Sequence, residues 1–130
     1  MSEIEYLTLE DVIGLVRALG VGPVRDIGLL DSAVARPRAS AFGDDAYPTL
    51  HLKAAAILHS LTRHHSLVDG NKRLAWLSTT VFLKINGWTC HLDDDQVFSL
   101  VWDVASHDLD LGAIARRMKL KSEGGARDER

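Results

Sequence analysis

The stretch His65-Ser-Leu-Val-Asp-Gly-Asn-Lys-Arg73 gathers an imidazole, a carboxylate, a glycine, an amide and two cations in consecutive positions. Each type has a task if the ligand carries phosphate. A loop that runs into a helix start leaves the first backbone N–H groups unpaired, so Gly70 and Asn71 can present amides to an anion backed by the positive end of the helix dipole. Glycine lets the backbone come close. Lys72 adds a point charge and Arg73 a planar fork, a pair suited to holding phosphate oxygens while charge shifts during transfer. Asp69, a hard oxygen ligand beside them, is where a Mg²⁺ is expected. His65, with an ordinary histidine pKa near ~6.5, can take a proton from an attacking hydroxyl at neutral pH. By residue type alone, the same stretch also reads as a charged interhelical turn, with Asp69 capping the next helix, Lys72 and Arg73 solvated and His65 half-buried at a helix end.

The elements that must position these groups carry the helical period. Leu9, Val12, Ile13, Val16 and Leu19 form one stripe, with Thr8 as N-cap and Gly20 as stop, which predicts a first helix over Thr8 to Leu19. A second runs through Leu29 to Ala35 and ends there, because Pro37 disfavours helical geometry at Arg36. From Arg36 to Pro48 no period survives, and a loop of this length is a candidate functional flap. Leu50, Ala54, Ile57, Leu58 and Leu61 mark a third helix that ends near His65. Leu74, Leu77, Ser78, Val81, Phe82 and Ile85 mark a fourth, closed by Asn86-Gly87. These two are expected to be central. Gly87 to Leu92 reads as extended or irregular. Asp93 with Gln96 is a capping-box variant that opens a fifth helix, with Val97, Leu100, Val101 and Val104 inward. A sixth spans Asp110 to Met118. The expected class is all-α: a compact six-helix bundle with a flap loop or short hairpin between helices two and three.

Composition narrows the function. At 130 residues, 46% hydrophobic and 25% charged, the chain fits one domain, drawn here as residues 1–120. Residues 121–130 carry charges and glycines without an apolar anchor and read as a disordered tail. A formal net charge of −3 and a pI near 6.0 supply no basic field, so DNA binding by the chain on its own is not expected. No uncharged apolar stretch approaches the ~20 residues needed to span a bilayer, and the start lacks the basic region of a signal peptide, so no membrane association and a cytoplasmic location are expected. Cys90 is the lone cysteine and reads as a small half-buried apolar residue. His59 and His64 stand about 140° apart around a helix and do not share a face for zinc. Trp76, Trp88 and Trp102 read as packing residues before a base-stacking platform. Gly70-Asn-Lys-Arg73 lacks the glycine spacing and Lys-Ser/Thr pair of a Walker motif.

The His65–Arg73 string resembles the signature of the Fic/Doc family. That signature is His-Pro-Phe-x-Asp/Glu-Gly-Asn-Gly-Arg in most Fic proteins and ends Asn-Lys-Arg in the Doc, or death-on-curing, toxin branch. The resemblance extends to Tyr6-Leu-Thr-Leu, to Arg25 through Arg38, to Phe42-Gly43 and to Tyr47-Pro-Thr49, covering roughly residues 6 to 118. Ser66 stands where proline is common and Leu67 where phenylalanine is; leucine can still anchor the loop in a core.

The resemblance implies a nucleotide-using transferase. Fic relatives move an adenylyl group from ATP to a protein hydroxyl. In the Doc branch, lysine in place of the family's glycine, here Lys72, goes with a reversed nucleotide pose that turns the γ-phosphoryl group toward the base. Carried over, His65 is the catalytic base for a threonine hydroxyl, Asp69 the Mg²⁺ ligand, and Gly70, Asn71, Lys72 and Arg73 the ATP phosphate site. The implied function is a protein kinase toxin that phosphorylates a threonine of elongation factor Tu, blocks translation and is held inactive by a Phd-type antitoxin. Fic-type adenylylation and a catalytically weak partner-binding module are the alternatives. The flap is where the family docks its protein target as an added strand. Many Fic proteins carry an inhibitory Ser/Thr-x-x-x-Glu-Gly/Asn motif. Glu123-Gly124 has Lys119 at the first position, so inhibition is expected from a second chain. A monomer is expected for the free protein.

Overall fold

The computed structural model describes residues 3–123. Six α-helices carry the fold: α1 (Leu9–Leu19), α2 (Ile27–Ala35), α3 (Leu50–Arg63), α4 (Asn71–Ile85), α5 (Asp94–Ser106) and α6 (Leu111–Arg117). The middle of α3 is buried on all sides, from Ala54 through Leu58. Its alanines let neighbours approach closely, and α3 packs along α4 while also touching α2, α5 and α6. The core drawn around it includes Val12, Leu30, Leu61, Leu74, Phe82, Leu100, Val104 and Ile114, so every helix contributes.

Local signals decide most boundaries. Thr8 caps α1 through a complete box with Asp11, and Gly20 stops it in the left-handed conformation at φ 69°. Asp93 and Gln96 form the box that opens α5. Asp110 caps α6, whose helical residues end at Arg117, with Met118 as C-cap. The second helix begins earlier than its apolar stripe predicts, at Ile27. The carboxylate of Asp26 accepts from the amide of Leu29, and that cap outweighs the cost of Gly28 in the first turn.

Between α2 and α3, where a flap loop or short hairpin is expected, a 3₁₀ turn (Arg36–Arg38) with Pro37 buried leads into a small hairpin, β1 (Ser40–Ala41) with β2 (Asp44–Asp45). The all-α expectation needs one correction. Near the end, β3 (Trp88–Cys90) pairs antiparallel with β4 (Leu120–Ser122), Trp88 opposite Ser122 and Cys90 opposite Leu120. The boundary drawn after residue 120 is therefore misplaced, since Lys121 and Ser122 belong to the domain. Buried Met118 anchors the turn back, and Lys84 holds Glu123 at 2.9 Å. Residues 124–130, the rest of the predicted tail, lie outside the described residues.

Candidate functional site

Helix α3 ends at Arg63 with His64 as its C-cap. His65 follows in the left-handed region at φ 52°, so it lies just past the helix end that the apolar pattern assigned to it. The loop that follows is held against the α1–α2 connector by backbone hydrogen bonds. Ser66 offers its carbonyl to the amides of Arg25 (2.7 Å) and Asp26 (3.1 Å), Val68 donates to Pro23 (2.9 Å), and Gly22 donates to Asp69 (3.0 Å). Val24 bridges Leu67 at the centre of this contact. The guanidinium of Arg25 also donates to the carbonyl of His65, with Nε at 3.1 Å. Leu67 is buried and fills the anchoring position. Ser66 is buried too, and its Oγ has no partner among the described residues.

Asn71 braces the loop from the other side. Its Oδ1 accepts from the amide of Leu67 (2.9 Å) and its Nδ2 donates to the carbonyl of Leu67 (3.0 Å). The side chain is thus committed to the loop, which leaves the backbone N–H of Asn71 as its group for a ligand. Gly70 opens α4 at φ 93° with no side-chain cap. A Cβ there would lie 2.5 Å from Val21 Cβ, so both backbone and packing require glycine. Among the described α-helices α4 alone lacks a capping side chain, for Thr8, Asp26, Thr49, Asp93 and Asp110 serve the other five. The charged-turn alternative required Asp69 to be that cap. Instead its carboxylate is 83% exposed and stands 4.0 Å from Arg73.

The result is an open concavity of about 240 Å³ lined by Thr62, His65, Val68 and the run Asp69 to Arg73. It brings together every residue the spacing singled out. Uncapped amides and two cations face an exposed carboxylate and an exposed imidazole, an arrangement able to bind a polyanion beside a proton acceptor. Lys72 places its Nζ 5.5 Å from the centroid of the Trp102 ring. What spacing missed is the support. Arg25, Val21 and the Gly22–Val24 segment act across some forty residues, and no local pattern marks them.

The hairpin is tied to α3 by two cations. Buried Lys53 donates to the carbonyls of Tyr47 (2.7 Å) and Pro37 (3.3 Å) and pairs with Asp45 at 3.2 Å. Arg36 bonds the Tyr47 hydroxyl (2.7 Å), His59 Nδ1 (3.1 Å) and Ser60 Oγ (2.8 Å). Burial, then Arg36 and Arg63, lower the pKa of His59, while Asp108 opposes them. The hairpin tip carries a fully exposed Phe42 and both strands face solvent.

Residues 6–83 match the Fic/DOC family. A curated relative from Mycolicibacterium smegmatis (strain ATCC 700084 / mc(2)155), named Toxin Doc, is 51% identical over 118 residues, covering 88% of this chain and 91% of the relative. With more than half its length inside the family match and a relative 51% identical over most of both chains, the chain belongs to the Fic/DOC family.

Proposed function

We propose that this protein is a Doc-type toxin of a toxin–antitoxin system, an ATP- and Mg²⁺-dependent protein kinase that phosphorylates a threonine of elongation factor Tu and so blocks translation. The observation that carries the proposal is the uncapped start of α4, which shares one concavity with His65, Asp69, Lys72 and Arg73. Amides, helix dipole and two cations hold the triphosphate. The threonine oxygen attacks the γ-phosphorus in line, the bond from that phosphorus to the β–γ bridging oxygen breaks, ADP leaves, and the hydroxyl proton passes to His65. The exposed carboxylate of Asp69 beside the phosphate site suits a hard cation and would hold Mg²⁺, which supplies charge neutralisation when bound.

Lys72 favours phosphoryl over adenylyl transfer, because it stands where adenylylating relatives have glycine. The hairpin suits a docking edge for the target: its strands are exposed, its base is pinned by Lys53 and Arg36, and Phe42 projects at its tip. A Phd-type antitoxin from a second chain would silence the free monomer. No described helix is long and apolar enough to cross a membrane, and the protein is assigned to the cytoplasm with its target. Induced expression should arrest growth, and His65→Ala should abolish the arrest while leaving the protein folded. Arrest that persists in His65→Ala would remove the base from the mechanism and favour a partner-binding module.

A further inference from the structure

We propose that Lys53 is a positioning residue for the protein substrate: its buried ammonium fixes the hairpin on α3 and keeps the docking edge ordered before the target arrives. The inference rests on the reading of the hairpin as that edge. Between buried Pro37 and half-buried Tyr47 the hairpin has no apolar anchor, for every residue from Arg38 to Ala46 is exposed. Its strands are two residues long each, and so short a pair has little stability of its own. Its place on the domain must come from polar ties.

Lys53 supplies three of these ties from one atom. Its Nζ donates to the carbonyl of Pro37 (3.3 Å) where the chain enters, to the carbonyl of Tyr47 (2.7 Å) where it leaves, and to Oδ2 of Asp45 (3.2 Å) within β2. An ammonium has three N–H donors, and these acceptors match them one for one. The side chain is 1% exposed, with Nζ 5.7 Å from the centroid of the Tyr6 ring. A core position on a central helix is a costly place for a charge, and an apolar residue of the same length would pack there without the desolvation. What the charge adds is direction: three bonds aimed at fixed points close both ends of the loop on one atom. Arg36 adds a tie between Tyr47 and α3 through His59 and Ser60, whereas Lys53 reaches a strand itself. The helix that carries Lys53 also leads to His65. From Lys53 to Arg63, the last helical residue, α3 rises about 15 Å, so hairpin and base are referenced to one rigid element. A substrate strand that meets an edge already fixed does not have to order it. With the ammonium gone, the substrate must order the hairpin, and that cost appears in substrate affinity before it appears in chemistry.

Steady-state kinetics on elongation factor Tu, together with hydrogen exchange of the free protein, tests this on the wild type, Lys53→Met, Asp45→Ala and Phe42→Ala. Lys53→Met keeps the reach of the side chain and removes the charge. It should raise the KM for the factor about tenfold, with the KM for ATP unchanged and kcat within about threefold. The Ala46 amide, which donates to the Ala39 carbonyl at 2.9 Å, should exchange faster while α3 and α4 keep their protection. Asp45→Ala removes one acceptor from the solvent side and should shift both readouts the same way by about threefold. If Lys53→Met is unfolded by circular dichroism, Asp45→Ala decides. Losses spread over kcat, both KM values and global protection would make Lys53 an ordinary core residue and overturn the inference. So would an unchanged KM for the factor in Lys53→Met when Phe42→Ala raises it. If neither variant changes that KM, or the wild type leaves the factor unmodified, the docking reading fails and the inference with it.

Discussion

The carbonyl of His65 is the acceptor for the guanidinium of Arg25, a residue forty positions earlier that donates through Nε at 3.1 Å and also through its terminal Nη2. Because the same Arg25 donates its backbone amide to Ser66, one residue fixes the main chain on both sides of the His65–Ser66 peptide bond. His65 sits at a positive φ, a conformation that a non-glycine residue keeps only when its surroundings hold it.

Removing that hold should cost catalysis more than stability. Arg25 is exposed, so Arg25→Ala is expected to change folding free energy by about 1 kcal/mol or less. Misplacing the imidazole should lower kcat by about ten- to a hundredfold with little change in the KM for ATP. Steady-state kinetics checks the split; a raised KM at unchanged kcat would mean that Arg25 serves ligand binding instead.

Gly70 meets Val21 where a methyl group has no room. Gly70→Ala should destabilise the protein by about 1–3 kcal/mol through overpacking together with the left-handed φ. Val21→Ala in the same chain should restore part of that loss, since it removes the collision but not the backbone strain. Denaturant melts of the two single variants and the pair measure the coupling; strict additivity would show that the contact is not the cause.

Ser66 carries a buried hydroxyl without a partner among the described residues. Ser66→Ala keeps the volume nearly constant and removes the unpaired group, so a gain of about 1 kcal/mol is expected, read as a higher Tm. A lower Tm would reveal a partner for that hydroxyl, such as a bound water.

Two histidines make stability depend on pH. Burial lowers the pKa of His51, and burial together with Arg36 and Arg63 lowers that of His59. Protonation therefore favours the unfolded chain. Their neutral forms support the fold fully above the unfolded value of ~6.5, and stability falls as pH drops from there through the lowered folded values. Tm should be lower at pH 5 than at pH 7.5, and the double variant His51→Gln, His59→Gln should flatten that slope. An unchanged slope would assign the acid sensitivity to other groups.

How far the fold could be read in advance depended on whether each cause was local. Thr8, Gly20 and the Asp93–Gln96 box set their helix ends within a single turn of chain, and the apolar stripes identified α3 and α4 as central. The β3–β4 pair could not be seen in this way: Lys121 and Ser122 are polar, and they are ordered by a strand some thirty residues away. The site divides along the same line. His65, Asp69 and Gly70 to Arg73 were visible because they are contiguous. The backbone amide of Asn71 is the group assigned to phosphate, and the side chain's bonds to Leu67, which brace the loop, are what contiguity does not reveal. The brace from Val21 to Arg25 and the position of Trp102 beside Lys72 are tertiary facts. Trp102, which reads as core or surface packing, lies half exposed at the surface.

The most direct test of the proposed activity is intact-mass analysis of elongation factor Tu after incubation with this protein, ATP and Mg²⁺, with His65→Ala run alongside. A gain of one phosphoryl group that disappears with His65→Ala is the predicted result. An adenylyl-sized gain would contradict the assignment of Lys72 to phosphoryl transfer, and an unmodified factor would contradict the assigned target.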